Sequence, residues 1–320
     1  MAIFLHLCLS LAFFINLLAQ NLPKIEKLKM DKNQNLTVAE RIRDKFDSLT
    51  RAERQLANAI LEDYPVSGFG SITAVSESSG VSTPTVARMA RKLGFGGFPQ
   101  MQAQLHTELK ATISSPIAKH DRWAENAPDT HILNRFADAV TDNMRQTLRQ
   151  IDPDEFNAVV ALLSDPEREI HVVGGRITRS MADNLFTHMQ VMRSGVTLVA
   201  PNSNTWAHYV LNMNEGDVLV AFDIRRYEHD ILRLAEVAKS RGVILVLFTD
   251  QWRSPAAKLA TYSLSSRIEV PSAWDSLVVT LFLVEAVIAA VQTNTWDETK
   301  DRMKTLEELF DQTKMFKKFI

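Results

Sequence analysis

The chain has 320 residues, with 36 Lys and Arg against 38 Asp and Glu, a formal net charge of −2 and 46% hydrophobic residues. That length suits two domains with sizeable cores, and the near-neutral balance excludes a polybasic chain whose bulk charge drives nucleic-acid or membrane binding. The single cysteine, Cys8, excludes a disulfide framework and thiolate metal sites within the chain and suits a reducing cytoplasm, the expected location.

Residues 1–20, MAIFLHLCLSLAFFINLLAQ, are almost wholly apolar. They lack the basic start and the small-x-small cleavage site of a signal peptide, and they barely reach the length of a membrane span. Lys24, Lys27 and Lys29 follow, which would leave the rest of a spanning chain in the cytoplasm. Met30 opens a segment typical of a soluble N-terminus. Residues 1–29 are therefore read as an apolar extension upstream of a start at Met30. A membrane anchor is the alternative, and no stable membrane partner is expected.

Residues 30–112 read as an all-helical domain. Thr37-Val-Ala-Glu40 and Thr50-Arg-Ala-Glu53 match the capping box that opens a helix. The second of these helices carries Leu56, Ala57, Ile60 and Leu61 on one stripe and ends before Pro65. The stretch Ser71 to Phe98 then predicts two short helices joined by a tight turn. The first runs from Ile72 to about Ser78. Gly80 supplies the positive φ of the reversal, and Val81 plugs the space between the helices. Ser82 or Thr83 caps the second helix, with Pro84 in its first turn. Val86, Met89, Ala90 and Leu93 face inward, and Gly94 ends the helix.

No acidic residue lies between Ser82 and Phe95. Thr83, Thr85, Arg88, Arg91 and Lys92 are expected on the outward face of the second helix. With Ser82 they form the candidate DNA-binding set: arginine pairs with guanine edges, threonine with phosphates or a thymine methyl, and Arg91 and Lys92 with the backbone. A solvated basic face with no nucleic-acid role is the plainer alternative. Phe95 and Phe98 anchor a further helix from Pro99 to about Ala111. The expected core is Ile42, Phe46, Leu56, Ile60, Phe69, Ile72, Val86, Met89 and Leu93.

Residues 113–129, with Ser114, Ser115, Pro116 and Pro128, read as an interdomain linker, although Trp123 suggests packing. Helices are expected at Thr130 to Gln150 and Pro153 to Leu163. From Glu169 short apolar runs alternate with amphipathic helices, the pattern of a parallel sheet covered on both faces. Strands are expected at Ile170–Val173, Thr197–Ala200, Val218–Phe222 and Val243–Thr249, with a fifth near Tyr262–Leu264 or Ile268–Val270. Helices fall between them at 178–193, 205–213, 228–240 and 254–260. An apolar helix from Ala273 to Gln292 and an amphipathic one from Asp297 to Lys317 close the chain; a partner subunit is the expected cover of the last.

Ligands of such sheets bind beyond the carboxyl ends of the strands. Gly174, Gly175, Arg176, Thr178 and Ser180 follow the first strand. Asp223, Arg225 and Arg226 follow the third, and Thr249 and Ser254 lie at and after the end of the fourth. Glycines and a helix N-terminus favour an anion, and three arginines at one sheet edge favour a phosphate or carboxylate. The plainer alternative pairs these arginines with Asp223, Asp250 and Asp275.

The order of these pieces resembles the RpiR/MurR family of bacterial transcriptional regulators. The carriers are Gly80-Val81-Ser82, Thr85-Val86-Ala87-Arg88, Lys92-Leu93-Gly94-Phe95 with Gly97-Phe98, the Gly174-led loop, the strand Asp217–Phe222, and Thr249 with Ser254-Pro255. The resemblance implies an N-terminal helix-turn-helix domain and, over 130–320, a sugar-isomerase-type (SIS) α/β domain with a five-stranded parallel sheet sandwiched by helices. It implies double-stranded operator DNA, a small anionic effector and a homodimer or homotetramer as partners, no cofactor, and no catalysis.

Two loops depart from the family pattern. The first usually reads G-x-G-x-S; here Arg176 replaces a glycine and Thr178 the serine. The second usually reads S-x-S-G-x-T. Here Asp223 and Arg225 stand at the serine positions, Arg226 at the glycine and Glu228 at the threonine. The departures point to an effector with its own anionic group and an amine or hydroxyl for Asp223, or to a site that has become structural. A sugar-phosphate isomerase on the same α/β domain is the alternative function. Its candidate bases are Glu228, His229 and Glu285, with His188 and His208 as remoter ones.

Overall fold

The computed structural model describes residues 36–125 and 131–316. The apolar run with Cys8, the extension to residue 29, linker residues 126–129, Thr130 and Lys317 lie outside the described residues. The chain divides after Thr107 into two compact units.

The first unit is helical: α1 Val38–Lys45, α2 Arg51–Glu62, α3 Ile72–Ser79, α4 Thr83–Lys92 and the start of α5 Phe98–Ile113. Both capping boxes form. Thr37 and Thr50 accept the backbone N–H of Glu40 and Glu53, and those glutamates return a carboxylate to the cap amides. Val75, Val86, Met89 and Leu93 pack with Ile42, Leu56 and Ile60 in one core. Phe46, Phe69 and Ile72, expected in that core, lie at its edge and are only partly buried. Met101 and Leu105 on α5 fill it instead and are fully covered.

The second unit holds α6 Pro116–Glu125, α7 Ile132–Gln150, α8 Pro153–Ser164, β1 Ile170–Gly174, α9 Arg179–Met192, β2 Val196–Leu198, α10 Trp206–Leu211, β3 Val218–Phe222, α11 His229–Ser240, β4 Ile244–Asp250, β5 Tyr262–Ser266, α12 Val278–Asn294 and α13 Trp296–Thr313. The strands form one parallel sheet in the order β2-β1-β3-β4-β5. β1 and β3 are buried along their whole length, as strands covered on both faces must be. One face packs on α8, α9 and α12, the other on α10 and α11, giving two separate apolar clusters.

Three expectations for this unit are corrected. The segment read as a linker contains α6, whose Lys119 is almost completely buried. Ser115 and Pro116 lie at the helix start, where they open rather than break it: Ala118 N–H donates to Ser115 Oγ. Residues 254–260 form only a short 3₁₀ turn, Pro255–Lys258. The apolar helix begins at Val278 rather than Ala273, and residues 273–277 form a loop. Of the two fifth-strand choices, Tyr262–Ser266 is the strand. Helix α13 packs against α9, where Arg302 Nη2 donates to the carbonyl of Gln190 at 2.9 Å.

Candidate functional site

Two sites emerge, one in each unit. In the helical unit the turn between α3 and α4 is set by Gly80, left-handed at φ 66°. Gln55 Nε2 donates to the carbonyl of Ser79 at 2.9 Å and fastens the turn to α2. The far end of α4 is closed by cations: Arg41 Nη1 donates to the carbonyl of Leu93 at 3.2 Å, and Lys45 Nζ to that of Lys92 at 2.7 Å. Free carbonyls and the negative end of the helix both favour charges there.

The outward face of α4 is smaller than expected. Arg88 and Arg91 are exposed, with Ser82 and Pro84 at the helix start and Thr83 half-buried between them. Thr85 is buried, contrary to expectation. It sits one turn before Met89 on the inner face, and its hydroxyl is shared with Ser82 Oγ at 3.0 Å and receives Arg88 Nη2 at 3.3 Å. Ser82 holds the cap position yet makes no cap bond for that reason.

Lys92 is also corrected: its Nζ lies 3.0 Å from Glu53 Oε2 and donates to the carbonyl of Ser48. Glu53, buried on α2, also faces Arg88 Nε at 3.6 Å. Burial would raise the Glu53 carboxyl, but the Thr50 backbone N–H and Lys92 outweigh it and hold its pKa below the ordinary value. Arg91 alone of these three cations has no ion pair among the described residues.

The second site follows from topology. The chain leaves β1 toward β2 on one side and β3 toward β4 on the other, so a crevice opens at the carboxyl ends of β1 and β3. A cavity of about 660 Å³ fills that place. Its lining includes Arg176 and Thr178 after β1, Asp223, Arg225, Arg226 and Glu228 after β3, and Lys119, Trp274 and Asp275 from α6 and the loop before α12.

The first loop is a tight turn. Thr178 Oγ1 accepts the N–H of Gly175 at 2.8 Å and donates to the carbonyl of Phe222 at 2.8 Å. A Cβ on Gly174 would sit 2.7 Å from the carbonyl oxygen of Thr178, so the turn closes only over glycine. The second loop is strained: Arg225 and Arg226 both adopt left-handed backbone, at φ 38° and 60°. Asp250 holds it there. This fully buried carboxylate accepts the N–H of Arg225 at 2.8 Å, the hydroxyl of Tyr227 at 2.8 Å and the N–H of Trp252 at 2.9 Å. Burial raises its pKa and pushes that of Tyr227 well up.

Asp223 is buried beneath the cavity floor. Ser254 Oγ donates to its Oδ2, and the N–H of Glu228 to its Oδ1 at 3.2 Å. Burial pushes its pKa up to about 6, against the pull of these two bonds. Asp275 is the anionic hub of the opposite wall. Its Oδ1 lies 2.5 Å from Lys119 Nζ and 3.6 Å from Arg225 Nη1. The Arg225 guanidinium also reaches the carbonyl of Ala111 and Ser114 Oγ and lies 4.8 Å over the Trp252 ring. Even so, its buried Nη1 has no hydrogen-bond partner.

The structure thus brings together half of the expected effector residues: Arg176, Thr178, Asp223, Arg225 and Arg226. Gly174, Gly175, Ser180, Thr249 and Ser254 do not line the cavity. Thr249 and Ser254 are committed beneath it, Thr249 Oγ1 donating to the carbonyl of Asp223 at 2.8 Å. Ser180 is exposed and bonds Ile177 within its own turn. Lys119 and Trp274 line the cavity although neither stands among the expected effector residues. Of the candidate bases, Glu228 lines the cavity, and His188, His208, His229 and Glu285 do not.

Comparisons with known proteins bear on both units. Residues 36–112 match the family model described as a helix-turn-helix domain, rpiR family, and residues 162–290 match the SIS domain. The HTH-type transcriptional regulator HexR of Pseudomonas aeruginosa is 25% identical over 229 residues, 70% of this chain and 77% of that protein. The sugar isomerase domain of an RpiR transcription factor from Sphaerobacter thermophilus aligns with a TM-score of 0.51 and 20% identity, over 55% of this chain and 97% of that one. The Vibrio vulnificus NanR protein, solved in complex with ManNAc-6P, aligns with a TM-score of 0.51 and 18% identity, over 86% of this chain and 98% of that one.

Proposed function

Since this chain belongs to the RpiR family of transcriptional regulators, with an rpiR-type helix-turn-helix followed by a SIS domain, we propose that α4 reads operator DNA and that the cavity beyond β1 and β3 binds a small anionic metabolite. The observation that carries the second half is the charge arrangement of the cavity. Arg176 and Arg226 project exposed guanidinium groups into it without an ion pair among the described residues, and the buried Nη1 of Arg225, 3.6 Å from Asp275, makes no hydrogen bond. A buried guanidinium N–H left unsatisfied is costly, and a phosphate or carboxylate satisfies it. NanR, an alignment partner, holds a sugar phosphate.

In this reading the metabolite shifts a cytoplasmic homodimer or homotetramer between DNA-competent and incompetent states, to the extent that it binds one state better. The regulated genes are those for uptake or breakdown of the metabolite. On α4, Arg88 reads bases and Arg91 and Thr83 meet the backbone. Thermal-shift titration of the full chain against sugar phosphates, carboxylic acids and amino acids tests the cavity. The expected result is a melting temperature that climbs with ligand concentration, and no climb in an Arg176→Ala/Arg226→Ala double variant. Stabilisation by none of these classes would remove the effector reading. Selected-site sequencing tests α4, with an enriched motif expected at moderate salt.

A further inference from the structure

Glu228 immediately precedes α11, and its carboxylate turns back onto the first loop. Its Oε1 accepts the backbone N–H of Arg176 at 2.7 Å. The fit is close: a Cβ on Gly175 would lie 2.3 Å from that same oxygen. A free amide in a glycine turn leading into a helix is where an external anion settles. In this chain the anion on that amide is a side chain of the protein.

Glu228 is not neutralised in return. No cation pairs with it among the described residues, and its side chain makes no cap bond to α11. The cations of the cavity are directed elsewhere, Lys119 and Arg225 toward Asp275. A second anion brought to the Arg176 amide would meet an unpaired carboxylate at hydrogen-bond range, where like charges repel strongly.

We propose that Glu228 is an internal anion that sets the ligand class of the cavity. It keeps phosphate off the Arg176 amide and selects a ligand whose acid group is met by the guanidinium groups of Arg176 and Arg226, with an ammonium or hydroxyl donor against Glu228. The proposal rests on the reading of this cavity as the effector site: Gly175, by lacking a Cβ, leaves room for the carboxylate that Glu228 lays on the Arg176 amide.

Calorimetric titration of inorganic phosphate into the full chain tests it, comparing wild type with Glu228→Ser and Glu228→Gln. Serine removes charge and bulk; glutamine removes charge and keeps bulk. The expected order of phosphate affinity is serine, then glutamine, then wild type, with at least a tenfold gain for serine and melting temperatures of all three close together. Equal affinity in the three proteins, or no phosphate binding to any of them, would overturn the role of Glu228. If wild type still binds an anionic metabolite in that case, the cavity reading stands without it.

Discussion

The ammonium of Lys119 lies 2.5 Å from the carboxylate of Asp275, although 156 positions separate them in the chain. The pair closes one wall of the cavity and anchors α6 to the loop before α12. Lys119 is almost wholly buried, so its replacement leaves Asp275 with Arg225 alone, at 3.6 Å. Lys119→Met should cost about 2–3 kcal/mol, somewhat below the usual loss on breaking a buried pair because Arg225 remains. Urea unfolding of the full chain measures it; a midpoint equal to wild type would mean that the pair does not hold α6.

On α4 the two basic residues at the C-terminal end should behave differently. Arg91 is exposed and has no ion pair among the described residues, so Arg91→Ala should weaken DNA binding evenly across sequences and lower the salt slope by about 1 per protomer. Lys92 is tied to Glu53, so Lys92→Ala should leave that slope nearer wild type and lower folding stability by about 1–2 kcal/mol. Fluorescence anisotropy at several salt concentrations, with melts of each variant, separates the two.

Arg88→Ala should relax base preference rather than abolish binding, at a cost of about 1–3 kcal/mol at the position it reads. Selected-site sequencing of the variant checks this by the loss of information at one or two positions of the motif.

Asp223 predicts a pH dependence. Its folded-state pKa is raised to about 6. Between about pH 4 and pH 6 the folded chain therefore holds a proton that the unfolded chain releases, and stability falls as pH rises through that window. The fall attributable to Asp223 is on the order of 2–3 kcal/mol. Asp250 shifts in the same direction, so Asp223→Asn should remove part of the decline, not all of it. Denaturant midpoints at half-unit steps of pH give the two curves, and superposition of variant and wild type would refute the assignment.

Gly174→Ala should destabilise the second unit by about 1–3 kcal/mol, because the added methyl meets the main chain of Thr178 at 2.7 Å and a main chain cannot swing aside. Thermal melts of this variant and of Gly97→Ala, whose Cβ would make only ordinary contact at 3.7 Å, provide the comparison.

Much of the fold was legible because it rests on local signals. Both capping boxes, the Gly80 turn and the apolar strand runs involve residues within a few positions of one another, and the structure realises each. The family resemblance is also upheld by the matches to both domain models. The cavity was legible on one wall only. Arg176, Arg225 and Arg226 follow strands whose ends a parallel sheet must align, so their meeting could be foreseen. Lys119 and Trp274 arrive from segments that no periodicity links to the sheet, and only tertiary packing brings them in. Thr85 and Lys92 were misplaced for a related reason: helical spacing gives a face, but Ser82 and Glu53, outside the stripe itself, decide which side chains that face leaves free.

Asp250 gathers four main-chain and side-chain donors from two different loops, Arg225 and Tyr227 on one and Trp252 and Arg253 on the other. Its loss would release the left-handed Arg225–Arg226 step and the turn after β4 together. The two loops are therefore a single heritable unit: a chain that changes the residue at 250 has to rebuild both at once, whereas Arg226, which draws on none of those bonds, is free to be exchanged alone.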